Sequence, residues 1–356
     1  MSNSASPGIS RDSHYVPMAI LRRWSLDGTH VFAYRILVSS PKVPEWRRRS
    51  IRGLAYHRDL YTAFACGQEL DDFERWLASE YERPGLEAID KLIRRARLTP
   101  EDWRRMARLV AAQDVRTPLS FIEFIRRWDH QPPEMLDRII RESIQRLEEA
   151  KTKGVILNEQ SERSEFSDHI EVAIEPPAVP GSDQAMVRAA FPVGRRLWIA
   201  TMRYLLTGAA ETLCRHRLSV AEPDGDAEWP LTDHPALRLN YYKPGHYDFR
   251  GGWGNRGSEI MMPVSPRHLL YFQVGSKVAN RFTFSEDHTM LVQRLLVERA
   301  HRWVFGTRPL GWAAKARPRT VDPERFAAEE AAWEEWHKDQ FESEISSSRR
   351  QRSIAG

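Results

Sequence analysis

Helical spacing of apolar positions dominates the first half of the chain, and from about residue 217 the character changes to short strand-like runs. A polar pair, His14-Tyr15, stands directly before an apolar, helix-like run that ends at Trp24. Asp27-Gly28 predicts a turn into a strand over Val31 to Val38, where β-branched and aromatic residues dominate. Pro41 and Pro44 mark a loop, and Ala55 to Phe64 reads as a second extended segment. A helix is expected from near Leu70, with Leu70, Phe73, Leu77 and Tyr81 on one stripe that Glu80 shares. Pro84-Gly85 should kink or split it before Leu86 to Ala96. Thr99-Pro100-Glu101-Asp102 is a helix start: an N-cap, a proline in the first turn and two acids beside the positive end of the dipole. That helix buries Trp103, Met106, Ala107 and Val110 and carries Gln113 on the Met106–Val110 side. Thr117, placed before Pro118, is pushed out of the helical region and ends it. Leu119 to Trp128 and Pro133 to Lys151 read as two more helices.

Residues 152–182 are polar and contain Pro and Gly, which makes them a connection between two halves. Asp183 to Arg215 reads as a long helix interrupted at Pro192. Strands are expected at Arg217 to Ala221, Ala236 to Tyr242 and His268 to Val274, and a last core helix at Asp287 to Phe305 with Leu291, Leu295 and Trp303 on one face. The pattern therefore predicts an α+β fold, with a mainly helical N-terminal half packed with a small antiparallel sheet from the C-terminal half. Residues 14–306 form one domain, between a disordered stretch 1–13 and a linker 307–321. A C-terminal amphipathic helix 322–342 and a disordered tail 343–356 follow.

Twelve tryptophans argue for a folded chain, and two cysteines give no disulfide framework. No apolar run approaches the roughly 20 residues a membrane span needs, and no leader pattern opens the chain, so the expectation is a cytoplasmic protein with no membrane contact. Net charge is only +4, but the cations are mostly arginine, clustered at Arg47-Arg48-Arg49, Arg94-Arg95, Arg104-Arg105 and Arg126-Arg127. Guanidinium forks suit phosphate, although arginine on solvated faces accounts for the same composition.

Five short blocks stand in order: His14-Tyr15-Val16-Pro17, Arg58-Asp59-Leu60-Tyr61-Thr62, Gln113 through Arg116-Thr117-Pro118, Leu231-Thr232-Asp233-His234-Pro235, and Pro263-Val264-Ser265-Pro266. In these blocks and their spacing the chain resembles the domain-of-unknown-function family numbered 4238, over roughly residues 14–306. Two positions depart from the family pattern: His234 stands where the family has Asn, and Val264 where it has Leu. The resemblance implies no reaction, because the family supplies none.

The polar members of these blocks, with Glu80, are the candidate site. His14, Glu80 and Asp233 are the candidate catalytic groups, with His14 or Asp233 as base or metal ligand; Tyr15, Gln113 and Arg116 are the candidate substrate-binding groups. A divalent metal is left open as cofactor. The same residues also fit a buried structural network, with Arg116 paired to Glu80 or Asp233, His14 capping the first helix and Asp233 in an Asx-type turn. Two function classes follow: an enzyme or effector acting on a phosphate-bearing substrate (nucleic acid or a phosphorylated small molecule), or a non-catalytic interaction module. Trp46-Arg47-Arg48-Arg49 is the best aromatic-plus-basic stretch for nucleic acid, or else an exposed loop. The stripe Phe326, Trp333, Trp336 and Phe341 either docks a protein partner or folds back on its own domain. Gly252-Trp253-Gly254-Asn255-Arg256-Gly257 matches a dinucleotide fingerprint only formally, since no helix pattern follows it. Glu149-Ala150-Lys151 sits on a helical rather than a strand pattern, against a nuclease signature, and Cys214-Arg215-His216 lacks a second ligand pair.

Overall fold

Local chemistry places the helices of the first half. In the computed structural model, which describes residues 11–65, 68–130, 141, 145, 148–149, 152–153, 171–175, 186–190 and 194–354, a one-turn helix α1 (Met18–Leu21) follows the His-Tyr pair. Helix α2 (Asp72–Leu77), a π-turn (Ala78–Glu82) and α3 (Arg83–Ile93) run on as one rod. Pro84 does not split it: the π-turn directly before it changes the bonding register where the proline's N–H is missing, and the rod continues. Helix α4 (Pro100–Val115) opens on the expected Thr99 N-cap, which the structure extends to a capping box: Thr99 Oγ1 accepts from Asp102 N–H and the Asp102 carboxylate accepts from Thr99 N–H. It crosses α3 so closely that a Cβ on Gly85 would stand 2.6 Å from the Leu109 Cβ. Helix α5 (Pro118–His130) begins at once after Thr117.

Helices continue in the second half. They are α6 (Arg195–Tyr204), a second π-turn (Leu205–Ala209), α7 (Ala210–Cys214), α8 (Glu286–Glu298), α9 (Ala313–Ala316) and α10 (Pro323–Ile354). The expected helix over 133–151, the connection 152–182 and the stretch 1–10 lie largely outside the described residues; within the connection, Glu171–Glu175 pairs with a strand Met186–Ala190, where helix was expected. Residues 12–14 form a strand against Tyr56–Arg58, and α10 runs past residue 342, the expected end of the last helix.

The expected architecture of a helical first half against one small sheet is overturned. Several sheets are present, and helices lie in both halves. A six-stranded sheet runs in the order His246–Asp248, Leu237–Lys243, Glu259–Ser265, His268–Gln273, Leu218–Glu222, Arg281–Thr283, antiparallel except for its last pair. Ile260, Met262, Leu270 and Phe272 face the main core, while Met261, Leu269 and Tyr271 face α8 through Val292, Leu295 and Leu296. Burial on both faces explains why these strands read as continuous apolar runs rather than alternations.

A second sheet joins the two ends of the chain, in the order Leu231–Thr232, Trp303–Gly306, His30–Arg35, Trp46–Ser50. Two of its strands depart from the sequence expectation. Trp303–Gly306 was expected on the last core helix, and Trp46–Ser50 has an edge strand's charged, exposed side chains, which hide the β signal.

Helix α10 folds back on this body. Trp336 meets Phe121 edge-on (4.7 Å between centroids), Phe341 meets Phe64 (5.0 Å), and Glu344 forks the buried Arg195 guanidinium at 3.0 and 2.8 Å. The apolar stripe considered for a protein partner is therefore occupied by the chain's own domain, and the linker to it adds a short strand, Thr320–Val321, beside Leu37–Val38.

Candidate functional site

Three of the five sequence blocks meet at one guanidinium, and a fourth touches the residue after it. Arg116, at the C-terminal cap of α4, is 1 % exposed. Its Nη2 donates to the His14 carbonyl (2.5 Å), its Nε to the Tyr61 hydroxyl (3.3 Å) and its Nη1 to the Glu82 carboxylate. Tyr61 in turn donates to the Arg116 carbonyl at 2.5 Å. One residue on, the Thr117 hydroxyl lies 2.6 Å from His234 Nδ1. Burial pulls the Arg116 pKa down, but the charge of Glu82 and the contact with Tyr61 more than offset it, so the net shift is upward and the group stays charged. This is a satisfied ion pair inside the fold, and such pairs specify geometry more than they add stability.

Asp233 lies behind this hub, 2 % exposed. Its carboxylate accepts from the backbone N–H groups of His301 (2.9 Å) and Arg302 (2.7 Å), pinning the turn between α8 and the strand Trp303–Gly306. Burial pushes its pKa up to about 6 against those donors. The local turn before Pro235 is closed by Thr232 instead, whose hydroxyl donates to the His234 carbonyl at 2.7 Å. Asp233 thus holds a distant turn in place, and that turn delivers Arg302 to an open cleft.

The cleft has a volume of about 490 Å³, and Tyr15, His57, Arg35, Arg49, Arg58 and Arg302 are among the side chains that line it. Two tryptophans supply π faces: Arg302 stacks on Trp333 at 4.0 Å, and Arg35 and Arg49 lie over Trp303 at 5.0 and 5.3 Å. Arg35 and Arg302 are partly neutralised by Glu329 and Glu330 of α10, whereas no ion pair holds Arg49 among the described residues. Burial, and then the like charges of Arg47 and Arg35, lower the Arg49 pKa, so an arriving anion would relieve that repulsion. Tyr15 is buried, and its hydroxyl makes no hydrogen bond among the described residues; burial, with Asp233 behind it, pushes its pKa far up and leaves it a proton donor at any physiological pH. His57 Nε2 lies 2.6 Å from the Trp333 carbonyl and donates to it, leaving Nδ1 without a partner among the described residues; burial lowers this imidazole to about 4, so it is neutral.

The backbone of the same wall is strained. Ala55 and Asp59, both lining the cleft, sit at φ of 49° and 57°, and Ala55 lacks the polar side chain that makes this region tolerable for Asp or Asn. Residues held this way cluster at functional sites.

The six sequence candidates do not form one constellation. Tyr15 lines the cleft, and Asp233 positions a cleft residue. Arg116 is consumed in the hub, and His14 joins it through its carbonyl, not as a helix cap; its ring tilts against Tyr56 at 5.6 Å, and the buried Nε2 has no partner among the described residues. The Gln113 side chain is fully buried with neither amide atom partnered among the described residues. Glu80 is exposed, and Glu82 takes the place beside Arg116. The π-turn explains this: its i→i+5 bonding adds a residue to the turn and moves the inward face on from 80 to 81 and 82. Sequence reasoning also missed Glu74, which accepts from Ser13 Oγ at 2.7 Å and is pushed up by burial to about 7. Its signal was present, since Glu74 lies next to Phe73 on the same buried turn. Among the described residues no group of three His, Cys, Asp or Glu side chains is arranged to hold a metal, and no helix is long and apolar enough to cross a membrane.

The family model described as "Protein of unknown function (DUF4238)" matches residues 13–309, so the match takes in the hub and most of the cleft and stops short of α10. No curated protein and no solved structure matches the chain.

Proposed function

The chain belongs to the DUF4238 family, and from the chemistry of its cleft we propose that it is an enzyme or effector that binds a phosphate-bearing ligand there. The observation that carries this reading is Arg49, a guanidinium without an ion-pair partner among the described residues, facing a 490 Å³ cleft beside three further arginines and two tryptophan faces. Phosphate is bound by guanidinium forks and a neutral hydroxyl donor, which Arg49, Arg302 and Tyr15 supply; the Trp faces suit a base or another flat group attached to the phosphate. Asp233 acts here as a positioning residue, fixing the turn that bears Arg302.

Binding of pyrophosphate and of short single-stranded DNA and RNA, by titration calorimetry at two salt concentrations, tests this. The same mixtures with Mg²⁺ or Mn²⁺ are then read for cleavage. Saturable binding that weakens with salt and falls in Arg49→Gln supports the reading; no binding by the folded wild type overturns it. Cleavage would make the protein an enzyme, and binding alone an effector. A second reading, the non-catalytic interaction module, is favoured by the hub itself, because a buried guanidinium with all three nitrogens engaged is closed to a substrate.

A further inference from the structure

A second cavity, of about 420 Å³ and sharing no lining residue with the cleft, opens between the end of α4, α5, α6 and the π-turn Leu205–Ala209. Its walls are aromatic and apolar: Phe124, Trp198, Met202 and Trp253. Trp253 comes from the glycine-rich loop that follows the strand His246–Asp248, the segment whose resemblance to a dinucleotide fingerprint has no helix behind it. That loop can approach because Gly251 carries no Cβ, which would otherwise stand 2.8 Å from the Leu239 backbone nitrogen.

Two polar atoms in these walls have no partner. Asp114 is 3 % exposed; its Oδ2 accepts from Trp253 Nε1 (2.9 Å) and pairs with Arg238 Nε (3.1 Å), while its Oδ1 accepts from nothing among the described residues. On another wall the Thr201 hydroxyl is buried and likewise unpartnered. Leaving such groups unsatisfied costs about 1–3 kcal/mol each, so their presence in an aromatic-walled cavity calls for a partner that enters it. A carboxylate oxygen only accepts, so that partner must bring a donor. Glu123 is already bound to Arg299 at 2.6 Å, and the exposed Arg127 on the rim has no ion-pair partner among the described residues, so the mouth does not repel an anionic substituent. A π-turn forms part of the wall, and such turns are frequent at ligand sites.

We propose that this cavity is a binding site for a planar nitrogen heterocycle that donates a ring or amino N–H to Asp114, stacks on Trp198 or Trp253, and meets the Thr201 hydroxyl. The volume suits a nucleobase-sized ring system with a small substituent. The site is independent of the phosphate cleft and stands or falls separately from it.

Quenching of tryptophan fluorescence tests this, with guanosine and adenosine as probes and naphthalene-2-sulfonate as a flat anion of similar size that has no N–H donor. The expected result is saturable quenching by at least one nucleoside, weakened roughly tenfold in Asp114→Asn, which removes a charge-assisted hydrogen bond, and lost in Ala209→Leu, which fills the cavity from the π-turn without touching Asp114. Should Asp114→Asn fail to fold, Thr201→Val together with Ala209→Leu carries the test. No saturable quenching by either nucleoside overturns the proposal. So does equal binding of naphthalene-2-sulfonate, which would mark an apolar hole filled by any flat molecule, or full binding by Ala209→Leu.

Discussion

Arg116 and Arg49 are the same residue in opposite circumstances. The first is sealed under α4 with its forks filled by a carboxylate, a hydroxyl and a carbonyl; the second lies on an exposed edge strand, crowded by Arg47 and Arg35 and holding no acid of its own. The difference teaches that residue type does not mark a binding group. What marks it is unused hydrogen-bonding capacity next to open space. By that measure the hub is architecture, and the cleft is where unused donors face open space.

The largest effect should come from breaking the hub. Arg116→Leu leaves the Glu82 charge, the His14 carbonyl and the Tyr61 hydroxyl short of a donor or acceptor, and is expected to cost about 3–5 kcal/mol or prevent folding. The readout is the denaturation midpoint at unchanged slope. A loss under about 1 kcal/mol would mean that the hub is not the keystone its bonding implies.

How much of this was legible depended on whether the signal was local. The Thr99 N-cap and the stop at Thr117-Pro118 involve neighbours only, and both stand as expected. The order of the five blocks identified the family, but not that Arg116 would find Glu82. That choice was made by a π-turn, which no periodicity of 3.6 anticipates, and the extra residue turned Glu80 out to solvent. The sheet uniting the chain's ends was hidden for another reason. Three of the five residues of its edge strand are arginine, and its central strand Trp303–Gly306 follows α8 after a four-residue turn held by Asp233, a contact 68 residues away in sequence. Nor could the cleft be read from sequence, since its walls come from residues 15 to 58, 302 to 303 and α10, brought together only by packing.

Acid should separate the cleft wall from the rest of the molecule. His57 is lowered to about 4 from an ordinary value near 6.5, so between those values the unfolded chain binds more protons than the folded one. Its contribution to stability is full above pH 6.5 and is lost as pH falls toward 4. Asp233 and Glu74 act in the opposite sense: raised to about 6 and about 7, they favour the folded state below pH 4, and that contribution is lost as pH rises through those values. Comparing His57→Gln with wild type isolates the first effect, because the other two groups are common to both. The wild type should lose on the order of 2 kcal/mol more than the variant between pH 7 and pH 4.5. Parallel pH profiles would show that His57 does not titrate as its burial requires.

Gln113 tests the satisfied-core side of the comparison from within. It shares α4 with Arg116, yet both of its amide atoms are buried and idle. Gln113→Met keeps the length and removes the unsatisfied groups, so it should raise stability by about 1 kcal/mol, read as a higher midpoint at constant slope. A drop of that size instead would show that the amide is held by an ordered water and belongs to the polar network after all.

The smallest effect on stability is expected at Arg49, and that smallness gives the comparison its edge. The side chain is exposed, pairs with no acid among the described residues and is opposed by two like charges, so Arg49→Gln should leave the denaturation midpoint within about 0.5 kcal/mol of wild type. If the cleft binds phosphate, the same substitution should weaken pyrophosphate binding and flatten its salt dependence, because one cation fewer meets the anion. Stability unchanged with binding weakened is the signature of a group reserved for ligand. Stability lost with binding intact would turn Arg49 into a second Arg116, a structural cation whose partner is the indole face of Trp303.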